Sequence, residues 1–256
     1  DGERVNVEIF DANGDTVRTY QVTAVNNGLN RFFWNMRMDG EARPTQRESR
    51  GGFNFTPSGN PVLPGMYKVK LSYGGGADST MLKVDFDPRL DISVAEVKET
   101  YAMDDELAEL NRQGVKVAEI LKSAKKIMDA NDEYLKADPR TKEELKDITK
   151  MSKETRNILD SLFVEMFGPE DDGRQGIVRN PDHSVSNALR MPGRYLGSAM
   201  WGPGSNEQFL LKQASEAMAA ITEKVNNFIR TEWPEYQKAI EDADLSAFKA
   251  IEPIEN

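Results

Sequence analysis

The sequence predicts two fold classes in series: an antiparallel β-sandwich over residues 1–88, then an up-and-down helical bundle over residues 89–256. Three observations predict it. As far as residue 86, apolar and polar residues alternate in short runs punctuated by Gly, Asn and Pro. After Asp87-Pro88-Arg89 the apolar spacing changes to three and four residues. Boxes of the form Ser-x-x-Glu or Ser-x-x-Gln stand where helical stretches begin.

The strands come first. Val5, Val7 and Ile9 alternate with polar neighbours, Asp11-Ala12-Asn13-Gly14-Asp15 supplies a turn, and Val17 to Val22 resumes the extended pattern, so these residues read as a hairpin. A turn at Asn26-Asn27-Gly28 leads to Arg31-Phe32-Phe33-Trp34-Asn35-Met36. Its aromatic density predicts a strand with one face on the core and Trp34 as anchor. Residues 37–64, rich in Arg, Gly, Pro and Ser, have no period and read as a long loop. Met66 to Tyr73 alternates strictly, Gly74-Gly75-Gly76 turns the chain, and a last strand is expected near Thr80 to Phe86. Five or more short strands with regular turns indicate a sandwich.

Ser93-Val94-Ala95-Glu96 opens the first helix, whose stripe includes Leu110, Val117, Ile120, Leu121, Ala124, Ile127 and Met128, with Gly114 as a weak point. Asp138-Pro139 reads as the N-terminus of a second helix striped by Leu145, Ile148, Ile158, Leu159, Leu162 and Met166 and ended by Gly168-Pro169. The two are expected to pack antiparallel. Val185, Leu189, Leu196 and Met200 suggest a shorter helix broken near Pro192-Gly193. Ser205-Asn206-Glu207-Gln208 caps the clearest stripe, Leu210 to Ile229, with a bend expected at Pro234. The link from Phe86 to Ser93 is short and stiffened by Pro88, so Phe86, Leu90 and Ile92 are expected to be buried at a junction that unfolds with both halves.

Composition narrows the function classes. The 256 residues carry a formal charge of -10, which disfavours nucleic acid and anionic lipid as partners. Residues 1–88 hold 10 Lys and Arg against 11 Asp and Glu, leaving 23 against 32 for the remainder, so the acidity belongs to the helices. No apolar run approaches the roughly 20 residues of a membrane span. There is no cysteine, hence no disulfide or thiolate chemistry. The numbering opens at Asp1 without a leader, which reads as a piece of something longer.

Few motifs carry chemistry. The single histidine, His183, sits in Asn180-Pro181-Asp182-His183-Ser184, more a loop and helix cap than a metal or triad site. Asp11-Asn13-Asp15 begins like a calcium loop, but its glycine comes at the fourth position and no Glu follows at the twelfth, so a turn explains it better. The pairs Asp104-Asp105, Glu143-Glu144 and Asp171-Asp172 read as solvated faces before glycosidase carboxylates. Tyr195, Trp201-Gly202-Pro203-Gly204 and Phe209 read as packing at a helix connection before a ligand groove. Met151, Met166 and Met218 read as core filling. No catalytic, cofactor or metal residue is assigned. Phe53 and Phe55, in the long loop, are the candidate ligand contacts, for a glycan.

Three blocks in order, Val7 to Arg18, Gly28 to Arg37 and Val62 to Val69, resemble the flagellar-hook-cap type of immunoglobulin-like module found near the C-termini of exported bacterial proteins. Adding Asp87-Pro88-Arg89, Asp244 to Phe248 and Ile251-Glu252-Pro253-Ile254, the whole chain resembles the C-terminal region of exported Bacteroidetes-type proteins of the sortilin-like or BNR-repeat glycosyl hydrolase kind. The resemblance implies an immunoglobulin-like sandwich, a periplasmic or cell-surface location, and a β-propeller with any active site upstream of Asp1. It places no catalytic residue on this sequence. The expected function is a non-catalytic structural or interaction module docking that upstream domain or another protein. The alternative is a carbohydrate-binding accessory module of a glycoside hydrolase.

Overall fold

The strands at the centre of the N-terminal sheet pair because each has one apolar face to bury. A computed structural model describes residues 3–26, 28–46, 57–169, 183–197, 202–243 and 245. It contains β1 (Glu3–Phe10), β2 (Thr16–Ala24), β3 (Arg37–Asp39), β4 (Ser58–Pro61), β5 (Gly65–Tyr73) and β6 (Gly76–Val84). Four of these form an antiparallel sheet in the order β2-β1-β5-β6, and β3 pairs with β4. The helices α1 (Val94–Ala137), α2 (Lys146–Phe167), α3 (Val185–Leu196), α4 (Ser205–Arg230) and α5 (Glu232–Asp242) follow. No described helix is long and apolar enough to cross a membrane. The chain divides into two compact units, residues 1–42, 49–112 and 191–211 in one and residues 43–48, 113–190 and 212–256 in the other.

In the first unit the hairpin between β1 and β2 closes where the sequence places it. The Asp11 carboxylate accepts the backbone N–H groups of Asn13 and Asp15, each at 2.9 Å, and Gly14 takes a φ of 89° that few other residues tolerate. Register puts Val7, Ile9, Tyr67 and Val69 on one face of the sheet. Val7 and Ile9 are fully buried there with Tyr67, Val84 and Val62, against Phe32, Trp34 and Met38. Trp34 meets Tyr67 edge-on at 5.5 Å and donates its indole N–H to the Arg37 carbonyl at 3.0 Å.

Arg31 to Met36 is not a strand. Met36 takes a left-handed φ of 56°, and the Asn35 side-chain oxygen accepts from the Tyr20 hydroxyl and the Arg37 N–H, giving this stretch local partners in place of a ladder. The expected long loop instead contains β3 and β4. They cross so closely that a Cβ on Gly59 would lie 2.5 Å from the Asp39 carbonyl oxygen, and one on Gly40 2.7 Å from the Gly59 nitrogen. The last strand begins four residues before the expected Thr80 and ends at Val84. Phe86, Leu90 and Ile92 are half-buried rather than buried. The link turns on itself, Asp87 accepting the Arg89 N–H and guanidinium and Leu90 donating to the Asp87 carbonyl, so its apolar residues gain only partial cover.

The helix starts obey capping chemistry, with two corrections. Ser93 and Glu96 form the reciprocal box at the start of α1. Before α2 a reciprocal box of Thr141 with Glu144 closes the turn that leads into the helix, whose N-cap, Leu145, makes no side-chain bond, and the Asp138 carboxylate accepts the Arg140 N–H and guanidinium eight residues before the helix begins. At α4, Gly204 donates its N–H to Glu207 and Ser205 is already helical. α3 runs unbroken through Pro192. The bend expected at Pro234 falls at Thr231, between α4 and α5. Pro234 has no N–H for the Arg230 carbonyl, and Thr231 bonds back to Asn227 through both its N–H and its hydroxyl.

In the second unit, ion pairs and hydrogen bonds fix helix direction. Lys125 meets Asp160, Asp129 meets Arg156 and Asp132 meets Ser152, a descending register that makes α2 antiparallel to α1 as expected. Lys224 reaches Glu165 on α2, and Tyr236 of α5 accepts from Asn131 of α1. Leu121, Met128, Leu159, Met166, Met218, Ile221 and Phe228 are buried, while Ile120, Ile127 and Ile158, on the predicted stripes, remain at least a third exposed. Gly114 is a contact rather than a weak point: a Cβ there would lie 3.0 Å from Leu189 Cδ1 and 3.1 Å from Pro44 Cγ.

Candidate interaction surface

The groups singled out for chemistry are mostly committed to structure. Asp11 is spent within its hairpin turn. His183 is exposed and precedes Ser184, whose buried hydroxyl caps α3 by accepting the Asn187 N–H at 3.2 Å. Glu143 pairs with Lys146, and Glu144 is in its capping box. The Glu96 and Glu144 carboxyls lie below the usual carboxylate range because they accept hydrogen bonds from Ser93 and Thr141. Burial first, then the nearby Tyr67 and Asp104, pushes the Tyr101 phenol up to about 12, against the opposing charge of Arg37. Burial and Asp11 raise Tyr67, whose hydroxyl donates to the Leu63 carbonyl at 2.6 Å, so neither phenol ionises near neutrality. Met166 and Met218 are buried core residues and Met151 is half-buried; Tyr195 and Phe209 are exposed. Phe53, Phe55, Trp201 and the pair Asp171-Asp172 lie outside the described residues. Among the described residues no group of three His, Cys, Asp or Glu is placed to hold a metal ion.

The feature left over is the edge of the larger sheet. Of the nine residues of β6, only Val84 is buried. It pairs with β5 in one unbroken register from Gly65 with Val84 to Tyr73 with Gly76, with no bulge to twist it away. Among the described residues no strand pairs with its other side. The opposite edge strand, β2, is fastened instead: the buried Arg18 guanidinium donates to the Met38 and Pro57 carbonyls and pairs with Asp39 at 3.0 Å.

Backbone parity tells which groups β6 offers. The two-residue turn Gly74-Gly75, both glycines at positive φ, closes on the Tyr73–Gly76 pair, whose i to i+3 hydrogen bond begins the ladder. Ladder bonds alternate along an antiparallel pair, so Gly76, Asp78, Thr80, Leu82 and Val84 turn their N–H and C=O groups to β5. Ala77, Ser79, Met81 and Lys83 turn theirs outward. Ser79 confirms the parity, because its N–H bonds the Asp78 carboxylate at 2.8 Å rather than β5.

The two faces beside this edge differ. On the face shared with the core, Leu71, Tyr73 and Leu82 remain 45%, 47% and 41% exposed. The outer face carries Arg4, Lys68, Lys70 and Lys83 with Glu8; Glu8 pairs with Lys70 and Lys83 with Asp85. Near the turn, Arg4, Asn6, Lys70 and Ser72 line a concavity of about 360 Å³ with Gly74 to Gly76. A last strand near Thr80 to Phe86 is legible in the sequence, but the edge position of β6 is not, because it depends on strand order. The run Gly76-Ala77-Asp78-Ser79-Thr80, small and polar on both faces, was the available signal. No family model, curated protein or solved structure matches this chain.

Proposed function

We propose that this chain is a non-catalytic structural and interaction module, an immunoglobulin-like sandwich followed in sequence by a helical bundle, that docks a partner by adding a strand to β6. An exported protein of the kind the sequence resembles is its proposed setting, with an upstream domain or a separate protein as partner. One observation carries the reading: β6 is nine residues long, unbulged and exposed, and its outward N–H groups at Ala77, Met81 and Lys83 lie beside half-exposed apolar side chains. Folded proteins normally blunt such an edge with proline, bulges or charges; β6 has neither proline nor bulge, and Asp78 and Lys83 are its only charged residues. Where they leave it open, an extended segment supplies the missing hydrogen bonds and alternate side chains supply specificity.

The test is selection of a displayed library of nine-residue peptides on the full chain, with a Met81→Pro variant as comparison. Position 81 turns its N–H away from β5, so proline there removes an edge donor without breaking the ladder. Circular dichroism checks that the fold is kept. Binders that lose affinity for Met81→Pro support the reading. An absence of binders, or binders indifferent to Met81→Pro, would overturn it.

A further inference from the structure

We infer that the strand β6 accepts is acidic: an extended segment of a partner chain with carboxylates at alternate positions on the outer face and apolar side chains at the positions between. This rests on the reading of β6 as a docking edge and adds the chemistry of the occupant.

Successive residues of an added strand lie on opposite faces of the sheet. One set falls beside Asp78, Thr80 and Leu82, with Leu71 one strand further in opposite Asp78; the half-exposed Leu71 and Leu82 offer burial, while the Asp78 carboxylate is turned to the Ser79 N–H. The other set falls beside Ser79, Met81 and Lys83, with Lys68 and Lys70 one strand behind. That outer face holds four cations, Arg4, Lys68, Lys70 and Lys83, within a chain whose net charge is -10. Against them stand Glu8, which pairs with Lys70, and Asp85 just past β6, which pairs with Lys83, so among the described residues Arg4 and Lys68 are the two without a carboxylate. The concavity near the turn sets Arg4 and Lys70 beside the amide groups of Asn6 and the glycine turn, a seat for a carboxylate. Local charge of the opposite sign to the whole selects an acidic segment and steers its approach.

A second copy of the chain is a poorer occupant. Its own β6 offers Ala77, Ser79, Met81 and Lys83 on the outer face, so pairing about a two-fold axis brings no carboxylate to the cations and adds another lysine.

The experiment titrates the full chain, by fluorescence anisotropy, with three labelled nine-residue peptides alternating valine with glutamate, threonine or lysine. Each is N-methylated along one edge to prevent self-association. The glutamate peptide is expected to bind at least about tenfold tighter than the threonine peptide. The lysine peptide should bind weakest, and the differences should shrink as salt is raised to about 0.5 M. A Lys68→Glu, Lys83→Glu variant should reverse the order, and Met81→Pro should abolish binding of all three. Equal binding of the three peptides, or preference for lysine, with all of it lost in Met81→Pro, would overturn the acidic strand and leave the docking edge standing. No Met81-sensitive binding of any peptide would overturn both. A concentration-dependent dimer in sedimentation, lost in Met81→Pro, would make a second copy the occupant and also overturn the inference.

Discussion

Ser79 gives its backbone N–H to the carboxylate of its own neighbour, Asp78, at 2.8 Å, so one of the four outward donors of β6 is covered from within the strand. Such a carboxylate is a guard on an edge that has no proline or bulge. Asp78→Ala should therefore raise the tendency of the chain to pair or aggregate through β6, seen as faster growth of light scattering at equal concentration. Asp78→Asn keeps the acceptor oxygen and should stay close to the parent. Equal behaviour of all three proteins would show that the guard does nothing.

Arg18 should be the most sensitive single position of the sheet region. Its guanidinium is buried and holds β3 and the start of β4 through the Met38 and Pro57 carbonyls and Asp39. Arg18→Leu strands two carbonyls and frees a half-exposed carboxylate, at a cost of about 3 kcal/mol. Arg18→Lys should recover little, since an ammonium cannot span the same partners. Denaturant unfolding measures both, and a loss below about 1 kcal/mol for Arg18→Leu would mean the fastening is incidental.

Gly114 should tolerate no branched side chain. Its missing Cβ admits Leu189 and the Pro44 ring at about contact distance, and overpacking of that kind costs about 1–3 kcal/mol. Gly114→Val is expected in that range. Gly114→Ala should cost less, because alanine regains about 1 kcal/mol of helix propensity. Thermal melts of the two variants decide it; a stabilised valine variant would contradict the contact.

These sites show what the sequence could and could not disclose. β1, β2 and β5 were legible because one buried face imposes a period of two, and the Ser93–Glu96 cap because its chemistry is local. β3 and β4 were not, since elements of three and four residues are too short to carry a period and are held by the Gly40–Gly59 approach and by Arg18, far away in sequence. Arg18 itself was hidden by the register shift beside Phe10, which allows both Val17 and Arg18 to be buried where simple alternation would turn one outward. Asp138-Pro139 looked like a cap because composition cannot tell a cap from a turn; the Arg140 side chain settles that choice.

Acid should weaken the helix starts before neutral or alkaline pH does. Hydrogen bonds from Ser93 and Thr141 lower the Glu96 and Glu144 carboxyls from their ordinary value of 4.5 in the folded chain. A folded-state pKa below the unfolded one contributes stability that is full above the unfolded value and is lost as pH falls through the folded value. Melting temperature should therefore fall as pH drops below the ordinary carboxyl value of 4.5. The fall should be smaller in Glu96→Gln, Glu144→Gln, where protonation no longer breaks the caps. An identical acid slope for parent and double variant would remove these caps from the account.

The open edge of β6 is the central claim, and amide hydrogen exchange resolved residue by residue tests it most directly. In the free chain Asp78, Thr80, Leu82 and Val84 should exchange slowly because they bond to β5, while Ala77, Met81 and Lys83 should exchange near the rate of unprotected amides and Ser79 in between. Adding the glutamate–valine peptide should protect Ala77, Met81 and Lys83 and leave the others unchanged. If those three amides are already as slow as their neighbours in the free chain, or stay fast when peptide is bound, β6 is not the docking edge.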